Sequence, residues 1–351
     1  MDRRVFLATL VVACGCGRKE AQPIDANATR VTNGSPQSAS ARPQAKIPSV
    51  SILVFGTRTT SAAAAPAAAP MLIRNRMTEL GYVEGKTIVF EERYADGDSQ
   101  RLTQLAHEAV ARQPDVIVAI AAAATAAARQ ATSTIPIVMA HAGDPVGSGL
   151  AASLARPGGN VTGTTSMSPE LGIKQVELLR ELVPGLRRLG VLANPTNAGA
   201  PLFLANVKQA AQQHNISIVV ADVTRAEDFD RALERLRDAR LDALLVMIEP
   251  MIYLNRDRVL EFALANRVPA SFDVGREIVR QGGLISYGPV LTTHYALVAD
   301  YVDRILKGAA PGDLPVQQPT QFALVINLNT AKALGLTVPQ AMLLRADEVV
   351  Q

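Results

Sequence analysis

From residue 49 onward, short apolar runs alternate with amphipathic stretches. The runs at 49–55, 87–94, 116–120, 135–140, 189–193, 216–221, 243–248, 268–272 and 284–287 are rich in β-branched residues and mostly continuous. Continuous apolar runs of that length predict parallel strands covered on both faces. Between them lie helical stripes. Leu102, Leu105, Ala106, Ala109 and Val110 recur at helical spacing behind a cap at Asp98 or Ser99. Ile173, Val176, Leu179 and Leu182 form a second stripe, ended by Pro184-Gly185. Ala232, Leu233 and Leu236 form a third, and 294–306 a fourth that stops at Lys307-Gly308. Strands alternating with helices imply βα units and a parallel, doubly wound α/β fold.

The predicted strands are too many for one sheet of ordinary width. A turn cluster, Arg156-Pro-Gly-Gly-Asn160, separates two sets of βα units. The expected architecture is two α/β lobes with a cleft between them, and ligands of such sheets bind beyond the carboxyl ends of the strands.

The residues just past each run are therefore the candidates. They include Thr57 in the stretch 56–61, Thr125 in an alanine-rich run, and His141 and Asp144 before Pro145. In the second half come Asn194 and Asn197, Glu249 before Pro250, Asp273, and Tyr287 between Ser286 and Gly288. Small hydroxyls, amides and first-turn N–H groups suit an anionic group, and the acids suit an ammonium group. Each residue taken alone is equally well read as a helix cap or turn former.

The N-terminus reads differently. Arg3 and Arg4 precede a nine-residue apolar run, Val5 to Ala13, and Cys14 follows. This predicts an export signal over 1–16 with the lipobox Val11-Val12-Ala13-Cys14, in which Cys14 is acylated; Cys16 is a rival acceptor. Arg3-Arg4-Val5-Phe6-Leu7 also resembles a twin-arginine signal. Residues 17–46 are poor in large apolar side chains and predict a flexible tether.

Composition narrows the function. The chain of 351 residues is 48% hydrophobic and 19% charged, enough for a substantial core. The longest apolar run, 116–128, is broken by Thr125 and is too short to span a membrane. The net charge of +3 comes from 1–46, which hold seven basic and three acidic groups and leave 28 against 29 in the body. A near-neutral body without Trp argues against nucleic-acid binding. Both cysteines lie in the leader, so the body holds no disulfide, thiolate nucleophile or cysteine-ligated metal.

Catalytic patterns are missing as well. Of the four histidines, His107 and His214 sit in helical patterns, and only His141 follows a strand towards the expected cleft. No zincin, phosphate-loop or nucleophile-elbow motif occurs. Glu91 and Glu92 are adjacent on a strand and so point to opposite faces. The sequence nominates no catalytic residue, no metal and no cofactor. It leaves three functions to compare: a solute-binding component, a ligand-sensing module for a membrane receptor, and an enzyme on the same scaffold.

A series of ordered motifs then resembles a known family. They are Gly81-Tyr-Val-Glu-Gly-Lys86, Glu92-Arg-Tyr-Ala-Asp-Gly97, Ala131-Thr-Ser-Thr-Ile-Pro-Ile-Val138, Gly143-Asp-Pro-Val146, Arg156-Pro-Gly-Gly-Asn-Val-Thr-Gly163, Glu177-Leu-Leu-Arg-Glu-Leu-Val-Pro184 and the stretch from Val325 to Pro339. They resemble the ABC-transporter substrate-binding proteins related to streptococcal tryptophan/tyrosine-binding proteins, over about 48–350. The resemblance implies a type I periplasmic-binding-protein fold. One lobe would comprise 47–161 plus 287–320, the other 162–286 plus 321–351, with three crossings as a hinge. It also implies delivery of a small molecule, an aromatic or hydrophobic amino acid in characterised relatives, to ABC permease subunits; taken with the lipobox, the expectation is an extracytoplasmic, lipid-anchored monomer. Carried over by position, Thr57, Thr125, Asp144, Asn194, Glu249, Asp273 and Tyr287 fall at the family's cleft segments. Where members usually have a Gly-Thr-Pro-type loop after the third strand, this chain has four alanines from Ala121 and then Thr125.

Overall fold

The structure is a computed structural model describing residues 46–58, 68–166, 171–197 and 199–351. The export signal, Cys14, nearly all of the tether and most of the alanine run at 62–69 lie outside the described residues.

The first lobe is built on β1 (Ser49–Val54), β2 (Val89–Tyr94), β3 (Val116–Ile120), β4 (Ile137–Ala142) and β5 (Val161–Thr165). These form a five-stranded parallel sheet in the order β2-β1-β3-β4-β5. Strand parity explains the continuous apolar runs. Val50, Ile52, Val54, Val116 and Val118 share one buried cluster with Ile73 and Met77 of α1 (Ala69–Glu79) and with α10 (Leu291–Leu306). Leu53, Ile117 and Ala119 share the other with α2 (Ser99–Ala111) and α3 (Ala121–Ala131). Asp98 caps α2, its carboxylate accepting from the N–H groups of Gln100 and Arg101.

The second lobe carries β6 (Arg188–Ala193), β7 (Ser217–Asp222), β8 (Ala243–Val246), β9 (Ala270–Phe272), β10 (Ile285–Pro289), β11 (Phe322–Asn327) and β12 (Glu348–Val350). Their order is β12-β11-β10-β9-β8-β6-β7, parallel throughout except for the antiparallel β10–β11 pair. Around this sheet lie α4 (Leu171–Leu182), α5 (Ala200–Gln213), α6 (Asp228–Asp238), the short α7 (Pro250–Leu254), α8 (Arg256–Ala265), α9 (Arg276–Arg280), α11 (Leu328–Ala333) and α12 (Gln340–Leu343).

The chain therefore crosses between the lobes after β5, after β10 and before β11. The sheets place 162–165 with the first lobe and 287–289 with the second, a few residues beyond the boundaries expected at 161 and 286. β5 is held where it is by small polar side chains. The Thr162 hydroxyl donates to the Leu314 carbonyl at 2.7 Å, and Thr164 pairs with Gln317.

Candidate functional site

Two adjoining cavities lie where the strand ends of the two lobes face each other. The smaller, about 60 Å³, is bounded by Ala122 and Gly143 of the first lobe and by Leu171, Phe203, Met247 and Asp273 of the second. The larger, about 250 Å³, is bounded by Phe55, Thr57, Leu291 and Tyr295 on one side and Tyr253 and Leu254 on the other. Ala121, His141, Ile248, Glu249, Pro250 and Val274 border both. Together the cavities are at the small end of the range for small-molecule sites, about 300–1,000 Å³.

The walls follow from how the strands end. Ala121 and His141, at the ends of β3 and β4, both have left-handed backbone, with φ of 71° and 57°. At β4 the pairing with β5 slips between Met139 and Ala142. Such an irregularity turns a side chain out of the sheet pattern. The His141 N–H donates to the Thr164 hydroxyl, and its ring meets that of His294 edge-on, with centroids 6.0 Å apart. Burial holds the His141 imidazole down to about 3, with help from His294, and burial alone holds His294 down to about 4. Both rings are neutral at physiological pH.

The second lobe supplies the acids. Asp273 follows β9 and is buried, and one of its oxygens accepts from the Ile248 N–H at 2.6 Å. Burial raises its carboxyl to about 8 against the opposing backbone N–H bonds, and the nearby Glu249 charge pushes the same way. Glu249 caps α7, accepting from the Ile252 N–H at 2.9 Å. Burial raises it too, opposed by the Ile252 and Met251 N–H groups and by the Asn194 amide. No Lys or Arg side chain among the described residues borders the smaller cavity.

Of the residues expected from sequence, Thr57, Glu249 and Asp273 border the cavities, and Asn194 stands behind them through Glu249. The other three do not border either one. Thr125 is fully buried inside α3, where its hydroxyl donates to the Ala121 carbonyl at 2.9 Å. Asp144 accepts from the N–H groups of Val146 and Gly147 and so shapes its own loop. Tyr287 lies mid-strand, because β10 runs on to Pro289; its ring stacks on Phe322, with centroids 5.8 Å apart. Gly288 beside it is required by backbone proximity, since a Cβ there would overlap the Asp273 carbonyl.

Tyr253 and Phe203 were not nominated from sequence. Each lies within the first helical turns after its strand, where a buried aromatic reads as ordinary core. Among the described residues no helix is long and apolar enough to cross a membrane, and no group of three metal-ligating side chains gathers.

Two sheet-based lobes with a cavity between facing strand ends define a two-lobed solute-binding architecture. The chain belongs to the family described as ABC transporter substrate binding protein, whose sequence profile matches residues 71–350. A curated relative, the tyrosine-binding protein of Clostridioides difficile strain R20291, is 29% identical over 262 residues, 74% of each chain. Among solved structures, a conserved domain protein of Vibrio cholerae O1 biovar El Tor is 31% identical, with TM-score 0.81 over 87% of this chain and 100% of that one. A Streptococcus pneumoniae ABC domain in complex with L-Trp gives TM-score 0.81 at 24% identity over the same shares. A ligand-free, open substrate-binding protein from Clostridium difficile gives 0.63 at 23% identity, again over 87% and 100%. The expected fold class, a type I periplasmic-binding-protein arrangement of two α/β lobes, is the one observed. Members of the family bind small molecules for ABC permeases outside the cytoplasm, as binders rather than catalysts.

Proposed function

We propose that this protein is the lipid-anchored solute receptor of an ABC importer, and that its lobes close over an aromatic or hydrophobic amino acid. The observation that carries the reading is the pair Glu249 and Asp273 bordering an interlobe space whose larger part is walled mainly by apolar groups, with Arg256 at its border as well. An ammonium group is the natural partner of two buried acids, and the larger cavity receives the ligand's apolar body. Thr57 lies on the opposite lobe, where its hydroxyl can meet the ligand's carboxylate. Asn194 steadies Glu249, while Thr125, Asp144 and Tyr287 act as scaffold. The names of the tyrosine-binding and L-Trp-bound proteins support the amino-acid class.

The three crossings act as the hinge, and closure is what the permease recognises. Acylation at Cys14 holds the receptor at the envelope, and 17–46 serve as its tether. The test is a thermal-shift screen of amino acids and related amines. A solute at about 100 times its Kd stabilises the protein by roughly 2.7 kcal/mol. No shift with any member of the screen, or conversion of a bound solute into product, overturns the reading. Cys14→Ser should move the protein from the membrane fraction to the soluble one; continued membrane association would reject Cys14 as the anchor.

A further inference from the structure

The larger cavity is walled mainly by apolar groups, among them Val54, Phe55, Ile120, Leu254 and Leu291. Two of its bordering residues nevertheless carry polar atoms that are shielded from water and have no hydrogen-bond partner among the described residues: the Tyr253 hydroxyl and His141 Nδ1. Tyr253 is 8% exposed. The Arg256 guanidinium lies over the Tyr253 ring, 4.6 Å from its centroid, and the Tyr253 N–H is tied to the Glu249 carbonyl. The His141 ring stands on left-handed backbone and meets the His294 ring edge-on. Buried polar atoms are nearly always satisfied in native proteins, and two orphans bordering one cavity call for a partner that occupies it.

We propose that Tyr253 and His141 are specificity-determining residues that read a hydrogen-bonding group on the ring of the ligand, so that the preferred solute is a phenolic aromatic amino acid rather than its bare hydrocarbon counterpart. This rests on the solute-receptor reading above. The chemistry is matched on both sides. A phenol donates one hydrogen bond and accepts others. Tyr253 does the same, and neutral imidazole nitrogen donates or accepts according to tautomer. A ring without the hydroxyl leaves both protein atoms unsatisfied, and sites built to bond a substrate hydroxyl discriminate strongly against the analogue lacking it.

The test is calorimetric titration of the purified chain with L-tyrosine and L-phenylalanine. The wild type should bind L-tyrosine at least about tenfold more tightly, and Tyr253→Phe should shrink that ratio about tenfold. His141→Asn, a residue that tolerates the left-handed backbone, should shrink it as well. Equal affinities in the wild type, or an unchanged ratio in folded Tyr253→Phe, overturn the proposal. Preference for an aliphatic amino acid overturns it and leaves the receptor reading standing. Failure to bind any amino acid or amine overturns both.

Discussion

Gly143 of the first lobe and Gly199 of the second meet across the cleft. A Cβ on Gly143 would lie 2.8 Å from the Gly199 nitrogen and 3.1 Å from the Asn197 side-chain oxygen. The lobes touch at a point where only a glycine fits. Gly143→Ala should therefore oppose closure while leaving each lobe intact. Overpacking of this kind costs about 1–3 kcal/mol, so ligand affinity should fall roughly 5- to 150-fold. Small-angle scattering of the liganded variant should show a larger radius of gyration than the wild type. An unchanged affinity would mean that the contact is not made in the bound state.

On the proposed reading, in which Asp273 meets the ligand's ammonium group, solute capture should depend on pH. Asp273 is raised from 3.8 to about 8 in the native state, so the folded protein binds more protons than the unfolded chain between those values. Its contribution to stability is complete at low pH and is lost as pH rises from about 4 to about 8. Asp273→Asn should become progressively more stable than the wild type across that window, as read from paired thermal melts. An ammonium ligand favours the ionised carboxylate. Binding should therefore release protons below pH 8, detectable as a dependence of calorimetric heat on buffer ionisation enthalpy.

The two histidines act in the opposite sense. His141 and His294 are depressed to about 3 and about 4, below the ordinary value of 6.5, so the unfolded chain is protonated first as the solution is acidified. Their contribution is complete above about pH 6.5 and is lost on the way down to pH 3–4, at roughly 1.4 kcal/mol per pH unit for each group. His294→Phe should flatten the acid limb of the melting curve relative to the wild type. Equal slopes would show that the rings are not buried neutral.

Thr125 separates scaffold from site. Its hydroxyl is spent on the Ala121 carbonyl at the left-handed start of α3. Thr125→Val should cost about 1 kcal/mol of stability, seen in denaturant melts, and should change ligand affinity by less than about twofold. A larger loss of binding would bring Thr125 back into the site.

Most of the layout was legible because the buried runs carry a strong signal. The parity of Val50, Ile52 and Leu53 can be read only one way once both faces are covered. β5 was not legible. Its core is Thr162-Gly-Thr-Thr165, whose buried Thr162 and Thr165 hydroxyls donate to carbonyls from elsewhere in the fold while Thr164 accepts from the His141 N–H, and its approach through Pro157-Gly158-Gly159 reads as a turn. β11 pairs antiparallel to β10, a partnership that no βα alternation announces. In the site, Glu249 and Asp273 were visible as strand-end acids. Tyr287 does not border the two cavities: β10 continues two residues past it and its ring stacks on Phe322, while Ser286 and Gly288 border a separate cavity beside α9. The orphaned Tyr253 hydroxyl has no sequence signature, because being unpaired is a property of the assembled surroundings.

The late arrival of α10 sets the order in which the molecule can be completed. Tyr295, Val298, Val302 and Ile305 cover the same face of the first sheet as Val50, Ile52 and Val138, yet they are synthesised only after β6 to β10. An emerging chain has only α1 to cover that apolar face, and must leave the part α10 covers bare through most of its translation. A premature stop before residue 291 strands both halves rather than sparing the first. The lobes are thus inherited as one unit, and neither can be exchanged as a free-standing cassette.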